Sequence, residues 1–153
     1  TDAHNNIKKI IKILENMKLN KKIKIYLTSS VYAEKLNSKK INLKINYLKY
    51  TKDVSKIYKK IDLAITACGN MAWELNFFNI NCFYLTSEKR EIKRAKILEQ
   101  KKFGIYCNPS NKKKVISKLS QFFKDTKYKN RIKYFKHNGI KNIFNLIKKN
   151  EPK

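Results

Sequence analysis

The stretch Thr66-Ala67-Cys68-Gly69-Asn70-Met71-Ala72-Trp73-Glu74 carries the residue types best suited to gripping a phosphorylated ligand. Small residues at 67–69 let a ligand approach the backbone, and the open N–H groups of a first helical turn attract phosphate. Asn70 stands where a helix cap belongs, and Met71 opens the helix. Glu74 lies one turn in, where a carboxylate can accept hydrogen bonds from a ribose diol. A purely structural account uses the same residues. Gly69 then makes the turn, Asn70 caps, and Glu74 offsets the helix dipole by about 0.3–1 kcal/mol.

Two other junctions offer candidate groups. Lys49-Tyr50-Thr51-Lys52-Asp53 leads from a strand into a helix and could frame a flat base, with backbone groups reading its edge. It also serves as a plain strand exit and cap. Thr86-Ser87-Glu88-Lys89-Arg90-Glu91 opens a long helix, and its hydroxyls with Lys89 and Arg90 suit a diphosphate. The alternative is a solvated, charged first turn.

The elements that position these junctions alternate. Ile7, Ile10, Ile11, Leu14 and Met17 form the stripe of a first helix. Residues 22–28 (KIKIYLT) and 42–48 (NLKINYL) read as strands, with a short helix over 31–36 between them. Val54, Ile57, Tyr58 and Ile61 give a compact helix with Asp53 near its start. Residues 63–67 (LAITA) form an unbroken apolar run, which predicts a central strand buried on both faces. A helix over 71–78, a strand over 82–85, a helix over 88–101 and a strand over 105–107 follow. After Asn108-Pro109-Ser110, the stripe Val115, Ile116, Leu119, Phe122 and Phe123 predicts another helix, with helical stretches at 127–137 and 140–148 parted by Gly139. Strand–helix alternation implies a parallel, Rossmann-like sheet with helices on both faces. Ligands bind such sheets beyond the carboxyl ends of the strands, which is where the three junctions lie.

The formal net charge of +26 admits a polyanion-binding module, but only Arg90, Arg94 and Arg131 are arginine among 37 basic residues. Readers of nucleic acid favour the forked guanidinium. Lysines mixed with Asn and Ile along the whole chain fit the codon usage of an AT-rich genome, so nucleic acid is not the expected partner. Cys68, Cys82 and Cys107 are too far apart for a CxxC pair, and His4 and His137 complete no zinc-ligand pattern. Free thiols and a cytoplasmic setting are expected, with no metal, no cofactor and no membrane span.

Taken together, TDAHN at 1–5, TSS at 28–30, KYTKDVSKIYKKIDLAITACGNMAWEL at 49–75 and CFYL at 82–85 resemble, in order and spacing, the C-terminal half of a known family. It is the UDP-sugar hydrolase family of pseudaminic acid biosynthesis, with its spore-coat polysaccharide relatives. The family has the glycosyltransferase-B architecture. The resemblance spans about residues 1–107, a nucleotide-sugar-binding domain, and leaves 108–153 as a helical extension packing on it. In the family a Gly-Gly-Thr-Asp stretch follows the first strand, and Thr1-Asp2 matches its second half. The resemblance thus implies that the first strand and an N-terminal partner domain carrying the catalytic His lie upstream. Neither His4 nor His137 corresponds to that residue.

By the same match, Gly69 and Asn70, flanked by Cys68 and Met71, line the diphosphate, Glu74 the ribose, and Tyr50 and Thr51 the uracil. Ser87, Lys89 and Arg90 are expected, from their place at the start of the long helix rather than from the match, to contact the diphosphate. The implied activity is release of UDP from an amino-sugar nucleotide, with this fragment inactive alone. Two positions depart from the family pattern. Cys68 stands where many relatives have Gly or Ser, and the Asn-Gln pair expected within 87–91 is absent. A glycosyltransferase of the same architecture is the alternative.

Overall fold

The computed structural model describes residues 6–17, 24–28, 45–48 and 53–124. The helix read at 31–36, the junction residues Tyr50 and Thr51, His4, His137 and the helical stretches after 124 lie outside them. The strands are β1 (Ile25–Thr28), β2 (Ile45–Leu48), β3 (Leu63–Thr66), β4 (Asn81–Leu85) and β5 (Gly104–Cys107). The helices are α1 (Asn6–Asn16), α2 (Ser55–Tyr58), α3 (Met71–Phe77), α4 (Lys89–Gln100) and α5 (Lys112–Lys124).

Every strand pair is parallel. β1 pairs with β2, Ile25 opposite Ile45, and β3-β4-β5 form a second sheet with Leu63 opposite Asn81 and Cys82 opposite Gly104. Parallel neighbours need a crossover, and α3 and α4 supply it between the strands of the second sheet. This is a Rossmann-like α/β architecture with helices on both faces.

The period-2 alternation of β4 divides the core. Phe83 and Leu85 point to one face, where they meet Ile10, Ile13 and Leu14 of α1 and Val115, Leu119 and Phe122 of α5. Cys82 and Tyr84 point to the other, against Ala72 and Leu75 of α3 and Ala95 and Leu98 of α4. All five residues of β4 are buried, as expected of a middle strand covered on both sides. Inside the second layer, the Tyr84 hydroxyl donates to Asn76 Oδ1 at 3.0 Å, so the buried phenol keeps a partner.

β3 differs from its sequence expectation. Its four residues are only half-buried, and among the described residues β3 ends its sheet, with β4 as its one neighbour. Leu63 and Ile65 still pack on the α1/α5 layer and Ala64 on the α3/α4 layer. The helix foreseen from Val54 to Ile61 is also shorter. Asp53 Oδ1 accepts the Ser55 N–H at 3.1 Å and starts α2, which turns out at Lys59 and Lys60 to reach β3.

The outer edge of β5 is closed by side chains. Glu99 of α4 accepts the Tyr106 N–H at 2.9 Å, and Lys118 of α5 donates to the Tyr106 carbonyl at 2.6 Å. The two side chains pair with each other at 3.3 Å. A backbone edge satisfied in this way is no template for a further strand.

Candidate functional site

The turn after β3 is built from residues 67–70. Cys68 is buried and holds a positive φ of 70°, a conformation that costs a side-chain-bearing residue but not glycine. The strained residue of the turn is therefore Cys68, and Gly69 has no positive φ. The Ala72 N–H donates to the Gly69 carbonyl at 3.1 Å and the Trp73 N–H to that of Asn70 at 3.0 Å, which starts α3. The N–H groups of Gly69, Asn70 and Met71 find no acceptor among the described residues. Asn70 occupies the cap position but with helical backbone angles and no side-chain cap bond. A cap needs an extended backbone to swing its side chain back over the first turn, so the expected capping role of Asn70 is not realised.

The start of α4 stands against this turn. Arg94 Nη1 donates to the Cys68 carbonyl at 3.1 Å, and an added Cβ on Gly69 would lie 3.6 Å from Glu91 Oε1. Glu91 in turn accepts the Thr86 hydroxyl at 2.5 Å, while Thr86 Oγ1 accepts the Glu88 N–H at 3.2 Å. The carboxylate in the first turn of α4 favours the helix dipole. Ser87 is half-buried; Lys89 and Arg90 are exposed. Arg90 and Arg94 are four residues apart on one helix and so share a face. The structure thus joins the Cys68–Met71 stretch to the 86–94 stretch at the carboxyl ends of β3 and β4.

Glu74 has a different neighbour. It is exposed, and its Oε2 accepts the hydroxyl of Tyr58, the last residue of α2, at 2.9 Å. Tyr58 is buried against Phe78, with ring centroids 5.3 Å apart. Sequence reasoning passed over both Arg94 and Tyr58. Arg94 left a signal, an arginine where nearly every other basic residue is lysine. Tyr58 left none, because its spacing marks it only as core.

The three cysteines are free and buried. Burial pushes the Cys68 thiol up to about 11 and the Cys82 thiol to about 12, and raises Cys107 as well. Burial, reinforced by the Glu74 hydrogen bond, holds the Tyr58 phenol at about 12. Each acid is therefore harder to ionise folded than unfolded, where thiols start from 9.0 and the phenol from 10.0. The unfolded chain sheds these protons first. Stability is then full below about pH 9 and falls as pH rises toward about 12. Melting temperatures measured between pH 8 and pH 11 should fall steadily, and a flat profile would contradict the burial of these groups.

Among the described residues no group of His, Cys, Asp or Glu is placed to hold a metal ion, and no helix is long and apolar enough to cross a membrane. Compared with protein-family models and with curated protein sequences, the chain matches none of either.

Proposed function

We propose that this chain is the nucleotide-gripping, C-terminal half of a two-domain protein of glycosyltransferase-B type. Its substrate is a UDP-linked amino sugar used in surface polysaccharide or nonulosonic acid biosynthesis. The observation that carries the reading is the junction at the end of β3. Three backbone N–H groups, at Gly69, Asn70 and Met71, have no described acceptor, and the guanidinium of Arg94 is anchored on the Cys68 carbonyl beside them. Backbone donors with a guanidinium close by form an anion-binding arrangement at the edge where parallel sheets take their ligands. Glu74 keeps one oxygen on Tyr58 and offers the other to the ribose. Tyr50 and Thr51 serve the uracil.

In the proposed reaction, water adds its oxygen to the anomeric carbon, and its proton passes to a base on the partner domain. The bond to the diphosphate oxygen breaks, and UDP leaves with that oxygen. This chain binds and orients; the base is the His that the family resemblance implies on the other domain. Glycosyl transfer is the second reading. What favours it is the sequence Ser87-Glu88-Lys89-Arg90-Glu91, which lacks the Asn-Gln pair tied to substrate handling in the hydrolases. An acceptor hydroxyl then replaces water.

Calorimetric titration tests the grip. Glu74→Ala and Arg94→Ala should each weaken UDP binding about tenfold, which is about 1.4 kcal/mol. Variants that bind UDP as tightly as the parent chain would remove both residues from the site.

A further inference from the structure

Three large apolar side chains stand half in solvent on two neighbouring helices. Trp73 and Phe77 of α3 are 44% and 48% exposed, and Ile97 of α4 is 42% exposed. Single exposed apolar residues are ordinary, but a group of them marks a contact surface. α3 and α4 lie side by side on the Cys82 and Tyr84 layer. Trp73 and Phe77 are four residues apart and share one flank of α3, with Asn76 beside them. That flank is turned toward α4. Asn76 accepts the Tyr84 hydroxyl at 3.0 Å, and the same hydroxyl reaches the Phe103 carbonyl, just past α4, at 3.3 Å. The other flank of α3 faces α2, where Glu74 and Phe78 meet Tyr58.

A hydrogen bond orients α4 in the same way. Arg94 donates to the Cys68 carbonyl ahead of α3, so its side of α4 is turned toward α3. Arg90, Ile97 and Lys101 follow the helical repeat from Arg94 and share that side. The apolar group therefore spans the seam between the two helices. Around it the charge has one sign. Arg90, Lys93, Lys96 and Lys101 are exposed. The carboxylates of α4 are turned away, Glu91 onto the Thr86 hydroxyl and Glu99 onto the Tyr106 N–H and Lys118. Glu74 of α3 is held by Tyr58 on the far flank.

An apolar centre with a cationic rim selects its partner by charge. A second copy of this chain is unsuited, because a formal net charge of +26 would meet its like. Protein interfaces deplete lysine and favour arginine, whereas this rim is mainly lysine. Anionic lipid attracts either cation without demanding a fixed geometry. Tryptophan and phenylalanine settle at the boundary of headgroups and acyl chains. We infer that the α3–α4 seam docks on an anionic lipid surface, with Trp73, Phe77 and Ile97 entering the headgroup layer and the cations of α4 meeting the phosphates around them. The docking uses no nucleotide and stands or falls separately from the proposed substrate.

Trp73 is the only tryptophan in the sequence, so its emission reports on this seam alone. The full chain is mixed, at about 0.15 M salt, with vesicles of phosphatidylcholine, either pure or in equal mixture with phosphatidylglycerol. The anionic vesicles should shift Trp73 emission to the blue, and lipid brominated on its acyl chains should quench it, as expected for insertion about 5–10 Å deep. Pure phosphatidylcholine should do neither. Ile97→Asp, and separately Lys93→Glu with Lys101→Glu, should each weaken partitioning at least about tenfold. Lys9→Glu with Lys12→Glu reverses as much charge at exposed positions of α1, on the other face of the sheet, and should change it less than about threefold. All these positions are exposed, so the variants should fold, and circular dichroism checks that they do. Four results would overturn the inference. The chain sediments with anionic vesicles while Trp73 emission stays unchanged; the α1 pair weakens binding as much as the α4 pair; neutral vesicles give the same shift; or the emission is already blue in the free chain, which would mean that the seam is covered from within.

Discussion

Gly104→Ala is expected to cost more than about 3 kcal/mol, beyond the usual 1–3 kcal/mol of an overpacked core site, and to leave little folded chain. Gly104 opens β5 directly opposite Cys82 of β4. A Cβ there would lie 2.1 Å from the Cys82 carbonyl oxygen and 2.7 Å from Cε2 of the Tyr84 ring. The first of these atoms is backbone inside a paired strand and cannot swing aside. Relief requires β4 and β5 to separate, which breaks the ladder and uncovers the buried β4. Gly69→Ala is the matched control. Its Cβ would meet only Glu91 Oε1 at 3.6 Å, an ordinary contact, and its φ is not positive. It should stay within about 0.5 kcal/mol of the parent, as surface changes do. Urea unfolding followed by circular dichroism measures both. A Gly104→Ala chain as stable as the parent would disprove the close approach of β4 and β5.

Phe122→Ala should cost about 3–5 kcal/mol, the range for deleting a buried aromatic ring. Phe122 is 2% exposed, and its ring centroid lies 5.6 Å from that of Phe83 in the middle strand. Truncation leaves a void under β4 where α5 cannot settle inward, because Val115 and Leu119 already rest on the same layer. For a domain whose whole stability is about 5–15 kcal/mol, such a loss brings the chain near its unfolding threshold. The adjacent Phe123 is half-buried at the rim, so Phe123→Ala should cost clearly less. The pair separates a helix seated in the core from one resting loosely on it. Equal small effects at both positions would show that α5 is not seated.

How much of this was legible in the sequence depended on the range of the interaction. The apolar run at 82–85 and the stripe Val115, Leu119 and Phe122 announce a buried strand and a core-facing helix, because residue type and period act locally. β3 misled for the same reason. LAITA has the composition of a central strand, and only pairing, a long-range property, shows that among the described residues it has a strand neighbour on one side. The Glu99–Lys118 pair that closes β5 joins residues 19 apart on two helices, and no spacing rule announces it.

At the site, the sequence marked the turn but put its conformational demand on the wrong residue. Glycine is the usual carrier of a positive φ, yet Cys68 adopts it, held by burial and by the Arg94 hydrogen bond to its carbonyl. The Asn70 side chain looked like a cap because its residue type favours caps, and the backbone angles decided otherwise. Charge was the least informative feature. The +26 total describes lysines spread along the chain, whereas a single arginine of α4, Arg94, touches the turn.

The most direct test of the central claim is a nitrogen–proton correlation spectrum of the labelled chain, recorded while UDP is added. Backbone donors at the end of β3 are expected to receive the diphosphate. The amide signals of Gly69, Asn70 and Met71 and the Arg94 side-chain signal should therefore move together along one saturating curve. Inorganic pyrophosphate should reproduce most of the shift, and uridine without phosphate should not. Shifts scattered over surface lysines and erased at about 0.15 M salt, where exposed charges are largely screened, would reduce the interaction to bulk charge and contradict the account.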